Sequence, residues 1–143
     1  MTLTLLQAQT IVTAALAEAR SRGAKALAVI VLDAGAHPVA FAREDGASLY
    51  RFDIARAKAE GAVGMDADTA VLAERAKGNP VFFHSVSAAV GGGIAFSPGG
   101  VVIRDVNGAL IGAVGVSGDT GECDADCALA GIRAAGLVEE TEA

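Results

Sequence analysis

Residues 101–136, VVIRDVNGALIGAVGVSGDTGECDADCALAGIRAAG, constrain the fold more than any other stretch. They read as a strand, a tight turn at Asn107-Gly108, a second strand interrupted by glycine, and the acid-rich start of a helix. Asn-Gly supplies the two positive-φ positions that a two-residue hairpin turn requires. The second strand lacks side chains at Gly112 and Gly115, one on each face of an apolar run. Something must approach the backbone there, either a helix, with the final helix the plainest choice, or a flat ligand.

The segments before it fill out an α+β order. Thr4-Leu-Leu-Gln7 has the form of a capping box, so a first helix runs from Thr4 to a stop at Gly23, with Leu5, Ala8, Val12, Ala15 and Ala19 as its buried stripe. The apolar run Ala26–Leu32, the turn Asp33-Ala-Gly35 and the extended segment Pro38–Arg43 predict a hairpin with His37 at or beside its turn. A second helix follows Ser48 and runs to about Gly64, and a third begins after Asp66 and ends at Gly78-Asn79-Pro80. Residues 81–90 fit either a helix or a strand, and the glycine-bounded segment 91–100 predicts one short strand. Antiparallel strands with segregated helices make one domain over residues 1–138, with a disordered acidic tail at 139–143.

Composition excludes whole classes of partner. A net charge of −6 and a pI near 4.8 argue against nucleic acid, which needs a basic footprint, and against anionic membranes. No apolar run approaches the roughly 18 residues of a membrane span. The N-terminus lacks the basic-then-apolar pattern of a secretory signal, so a cytoplasmic protein is expected. Cys123 and Cys127 fall on one face of the last helix without further ligands at metal spacing, and read as small buried thiols.

The second helix carries the most informative charges. On a helical wheel Asp53, Arg56 and Glu60 form a solvated stripe, whereas Arg51 and Lys58 fall among Ile54, Ala55, Gly61 and Ala62. Two cations on the apolar side must snorkel or meet an anion. The choices are an oligomer interface, a pairing with Asp33 or Asp45, or a wall that binds ligand carboxylates. Arg43 adds a third cation at a strand end, with Asp45 positioned to hold its fork or to begin the turn at Gly46. The chain has two histidines, which limits nitrogen ligands for iron: His37 in an exposed turn, and His84 after Phe82-Phe83, a pair suited to a porphyrin face. Ser117-Gly-Asp-Thr-Gly121 leads into the last helix, where Asp119 or Thr120 serves as N-cap.

Three blocks together resemble the GlcG/HbpS-like family, which is associated with heme binding or degradation and is related to the C-terminal domain of PduO-type proteins. They are DAGAHPVAFAREDG (33–46), IARAKA (54–59) and the segment 108–136, in the family's order over roughly residues 3–138. The resemblance implies a profilin-like antiparallel sheet of about five strands flanked by helices, and assembly into homo-oligomers. It also places Lys58 in a Lys-Ala motif, Arg43 near the ligand cleft, and His37 where histidine is frequent. Two departures stand out: Asp124-Ala125 where an Asp-Glu pair is usual, and Ala95 where proline follows the glycines.

The leading reading is therefore a protein that binds heme or a similar planar, carboxylate-bearing small molecule. Arg43, Arg51 and Lys58 would hold carboxylates, Gly112 and Gly115 would permit close approach, and His37, or less favourably His84, would ligate iron. The rival is an enzyme of small-acid or aromatic-acid catabolism, an isomerase, hydrolase or deaminase, that anchors its substrate on the same cations. Asp45 or His37 would then be its acid/base. A purely structural oligomer is the third reading.

Overall fold

The computed structural model describes residues 2–137; position 138 and the expected tail at 139–143 lie outside the described residues. The order is α1 (Leu5–Arg22), β1 (Ala28–Asp33), β2 (Pro38–Arg43), α2 (Arg51–Met65), α3 (Thr69–Gly78), α4 (Pro80–Ala89), β3 (Gly100–Arg104), β4 (Leu110–Ser117) and α5 (Gly121–Ala134). Four antiparallel strands form one sheet in the order β2-β1-β4-β3. This is the expected α+β domain with helices on both sheet faces, one strand short of the expected five.

The alternation of side chains along β1 separates two cores. Val29 and Val31 face α1 and α5 with Ile11, Val114 and Ile132, while Ala28, Ile30 and Leu32 face α2 with Ala55, Ala59 and Ala62. Because β1 is central and covered on both faces, its sequence is continuously apolar.

The first helix starts as expected: the Thr4 side chain accepts from the Gln7 amide, the Gln7 side chain accepts from the Thr4 amide, and Gly23 closes the helix at φ 66°. Its stripe needs correction, since Leu5 is 56% exposed while Ile11 is fully buried. Of residues 81–90, those up to Ala89 are helical in α4, which Pro80 opens as its first helical residue and Val90 caps.

The expected strand within 91–100 is absent among the described residues. Gly91 and Gly92 take φ of 87° and 80°, and the chain then runs over α2, where the Ala95 amide donates to the Ala57 carbonyl at 3.2 Å. Only Gly100 joins the sheet, as the first residue of β3.

The β3–β4 turn also differs from the two-residue form. Gly108 has a positive φ of 82°, but Asn107 does not. The Gly108 amide donates to the Asp105 carbonyl at 2.9 Å, making Val106 and Asn107 the central residues with Gly108 left-handed after them. The Asp105 carboxylate favours this arrangement by accepting from the amides of Asn107 and Ala109 at 2.9 and 3.0 Å.

Candidate functional site

The glycine-interrupted strand is filled by protein. A Cβ at Gly115 would collide with the Ala55 carbonyl oxygen of α2, and one at Gly112 would collide with the Leu32 carbonyl oxygen of β1. The helix that approaches Gly115 is thus α2 rather than the final helix, and neither glycine opens onto a flat-ligand site.

Lys58 is the second correction. It faces inward as its position on the wheel predicts, but it is 3% exposed and its Nζ donates to Asp124 Oδ2 at 3.2 Å and to the Val116 carbonyl at 3.0 Å. Asp124 also accepts from the amides of Gly118 and Asp119, at 3.3 and 3.0 Å. Burial pushes the Lys58 ammonium down from its usual range, Asp124 opposes this, and Arg51 adds a smaller push in the same direction as burial. The carboxylate that meets Lys58 therefore belongs to α5, not to Asp33, Asp45 or a ligand. Thr120 caps α5 by accepting from the Cys123 amide at 3.2 Å.

Arg43 and Arg51 do share one end of the sheet. Arg43, Ala28 and Ser117 are register partners across β2, β1 and β4, so their side chains lie on the α2 face. Arg51 donates to Ser117 Oγ at 3.2 Å. Arg43 and Asp45 are exposed and line a shallow depression of about 420 Å³ with Arg20 and Glu44. Asp45 does not hold the Arg43 fork. Instead the Ala47 amide donates to the Glu44 carbonyl at 3.1 Å, and Gly46 at φ 83° completes that turn.

His37 stands at the opposite end. Six residue steps along β2 separate it from Arg43, roughly 20 Å at strand spacing. Within one protomer these two candidates do not meet on one porphyrin-sized ligand.

His37 has a different neighbour, an apolar cleft of about 310 Å³. Its walls are the β1–β2 turn (34–36), the last turns of α2 (60–65), and the α4 side, represented by Val86, Val90 and Ile94. The volume lies at the small end of ligand pockets, about 300–1,000 Å³. A Cβ at Gly35 would sit 2.9 Å from His37 Cε1 and Nδ1, so the exposed imidazole packs on Gly35, a residue of the cleft wall, without itself lining the cleft. Gly64, also in the wall, has nothing within 4 Å of where its Cβ would lie.

The hairpin holds this histidine by chemistry local in sequence. Asp33 Oδ1 accepts from the amides of Gly35 and His37, both at 2.9 Å, and lies 3.3 Å from His37 Nδ1. The His37 amide, then the Gly35 amide and the imidazole, keep the Asp33 carboxyl below its usual range against a smaller opposing effect of desolvation. A carboxylate on Nδ1 leaves Nε2 as the free nitrogen, the arrangement that orients metal-ligating histidines.

The other histidine, His84, is exposed on α4; like His37 it does not line the cleft, and unlike His37 it has no carboxylate beside its ring among the described residues. Its neighbour Phe83 is buried and meets Phe96 edge-on at 5.0 Å, which ties α4 to the following loop rather than offering a porphyrin face.

These features allow a fit test for heme. The cleft is mostly apolar, the Asp33–His37 pair packs beside it on Gly35, and of its wall glycines Gly64 leaves open space whereas Gly35 is covered by His37 and Gly61 by Ile94. Such a wall suits the apolar edge of a porphyrin, and His37 is the side chain beside it that would hold the iron. These residues do not supply a carboxylate clamp, because Arg43 and Arg51 lie at the far end and Lys58 is held by Asp124. Sequence reasoning missed the cleft, whose walls come from three segments distant in the chain; Gly61 and Gly64 one turn apart were its one local sign.

Among the described residues no helix is long and apolar enough to cross a membrane, and no group of three His, Cys, Asp or Glu forms a metal site.

Comparison with known proteins agrees with this architecture. A double mutant of HbpS from Streptomyces reticuli is 30% identical, with a TM-score of 0.81, over 93% of this chain and 86% of that one. Klebsiella pneumoniae protein ORFY is 26% identical with a TM-score of 0.85, covering 96% and 92% of the two chains. PduOC, solved as a heme complex, shares the fold with a TM-score of 0.87 at 24% identity, covering 97% and 99%. No curated protein matches the chain. The family described as haem degrading protein HbpS-like matches residues 3–133, nearly the whole chain, and the protein belongs to that family.

Proposed function

We propose that this protein binds heme in the apolar cleft between the β1–β2 turn, α2 and α4, with His37 Nε2 as the nitrogen that would hold the iron. The observation that carries the reading is the Asp33–His37 pair packed on Gly35, next to the cleft that Gly35 lines. Membership of the HbpS-like family supports the ligand class, as does a heme complex known for PduOC, a protein of the same fold. Bound heme would supply a redox-active iron. The chain's own residues do the rest: Asp33 fixes the imidazole, and Val86, Val90 and Ile94 would give the apolar edge of the ring a wall to pack on.

We further place the protein in the cytoplasm, where Cys123 and Cys127 stay as free thiols, and in a homo-oligomer. Exposed Leu6, Leu49 and Tyr50, at 74%, 70% and 66%, support assembly. Handling or sensing of heme is the role such an open site suits.

The test is a heme titration of the purified protein, followed at the Soret band. Saturation near one heme per subunit or per dimer, weakened at least tenfold in His37→Ala, is expected. Unsaturable binding indifferent to His37 would refute the reading.

A second reading rests on Arg43, whose side chain is exposed at the end of β2 in the depression shared with Glu44 and Asp45. With Arg51 nearby, this end suits a small carboxylic acid, and Asp45 beside it would act as acid or base in a catabolic enzyme. Binding of dicarboxylates without binding of heme would favour that reading.

A further inference from the structure

We infer that Glu60 decides which edge of a planar ligand enters the cleft, so that the apolar edge goes in and the carboxylate edge stays in solvent. This rests on the heme reading above and adds an orientation to it.

Among the described residues that line the cleft, Glu60 alone is charged. No lysine or arginine among them faces the cavity. The nearest cation along the helix, Arg56, donates Nε to Glu60 Oε1 at 2.8 Å and does not line the cleft. The second oxygen turns toward the glycine loop, since a Cβ at Gly93 would lie 3.3 Å from Glu60 Oε2. Glu60 is therefore pinned at the wall by Arg56 on one side and confined by Gly93 on the other, with its side chain 30% exposed.

A ligand carboxylate pushed into this cleft would meet the Glu60 carboxylate and no free cation, because Arg56 is already engaged by Glu60. The same carboxylate left outside keeps its hydration. A vinyl or methyl edge meets Val86, Val90 and Ile94 instead. The single carboxylate of the cleft thus acts against ligand acids, and small carboxylic acids are poor occupants of this end of the molecule.

The experiment compares ferric protoporphyrin IX with its dimethyl ester in one detergent-containing buffer at low salt, on wild type and Glu60→Gln. Circular dichroism and the thermal midpoint confirm that the variant is folded. Wild type is expected to bind the ester within about threefold of the diacid, because the carboxylates take no part in the contact. Glu60→Gln is expected to leave the ester unchanged and to tighten the diacid by about tenfold, because with the like charge gone and Arg56 released the carboxylate edge can turn into the cleft and meet that cation. Ester binding at least tenfold weaker than diacid binding in wild type would overturn the orientation, as would a Glu60→Gln effect equal for both ligands. If neither porphyrin binds, the heme reading itself falls, and this orientation falls with it.

Discussion

Lys58 Nζ lies 3.2 Å from Asp124 Oδ2, and the two side chains are 4% and 1% exposed. The pair joins α2 to the start of α5 through β4, because Lys58 also donates to the Val116 carbonyl and Asp124 also accepts from Gly118 and Asp119. Breaking one partner strands a buried charge. Asp124→Leu is expected to destabilise the fold by about 3–5 kcal/mol, and Lys58→Met by a similar amount. The double change Lys58→Met with Asp124→Leu should recover much of that loss. Urea unfolding midpoints of the four proteins check this; additive losses would contradict a coupled pair.

Gly115 and Gly64 make opposite predictions from the same substitution. Alanine at Gly115 drives a Cβ into the Ala55 carbonyl and should cost about 1–3 kcal/mol or more. Alanine at Gly64, a helical position with open space, should add about 0.5–1 kcal/mol. Thermal melts of the two variants read the difference directly.

Gly64→Leu extends that test to the cleft. The side chain would occupy the wall where nothing lies within 4 Å, so the fold is retained while the cavity fills. Heme affinity is expected to fall at least tenfold with the unfolding midpoint little changed. Undiminished binding would place the ligand elsewhere.

Burial pushes the Cys127 thiol up to about 12, and Cys123 beside it is also raised. At pH 8 the native Cys127 is then almost wholly the unreactive thiol. A disulfide reagent at that pH should leave Cys127 unmodified in the native protein over the time in which the urea-unfolded chain reacts fully. Rapid reaction of both cysteines in the native state would contradict the burial.

Much of this was legible locally. The Thr4 capping box, the stop at Gly23, the Thr120 cap, the inward face of Lys58 and the close approach at Gly115 each follow from a few neighbouring residues. What was not legible depends on distant partners. Asp124 is 66 positions from Lys58, so the wheel identified a cation in need of an anion without identifying the anion. The wheel placed Arg51 and Lys58 on one face, yet Arg51 is only half-buried while Lys58 is enclosed. The turn type at Asn107 was decided by Asp105, whose carboxylate competes for the local amides. Strand length separated His37 from Arg43, a distance visible only once β2 was known to be unbroken.

The most direct test of the central claim is the spectrum of the heme complex of His37→Gly, recorded with and without added imidazole. Loss of the wild-type Soret position and its return on adding imidazole are predicted, because the cleft would still hold the ring while free imidazole fills the vacated ligand position. A His37→Gly complex with wild-type spectrum and affinity before any imidazole is added would contradict His37 as the iron ligand.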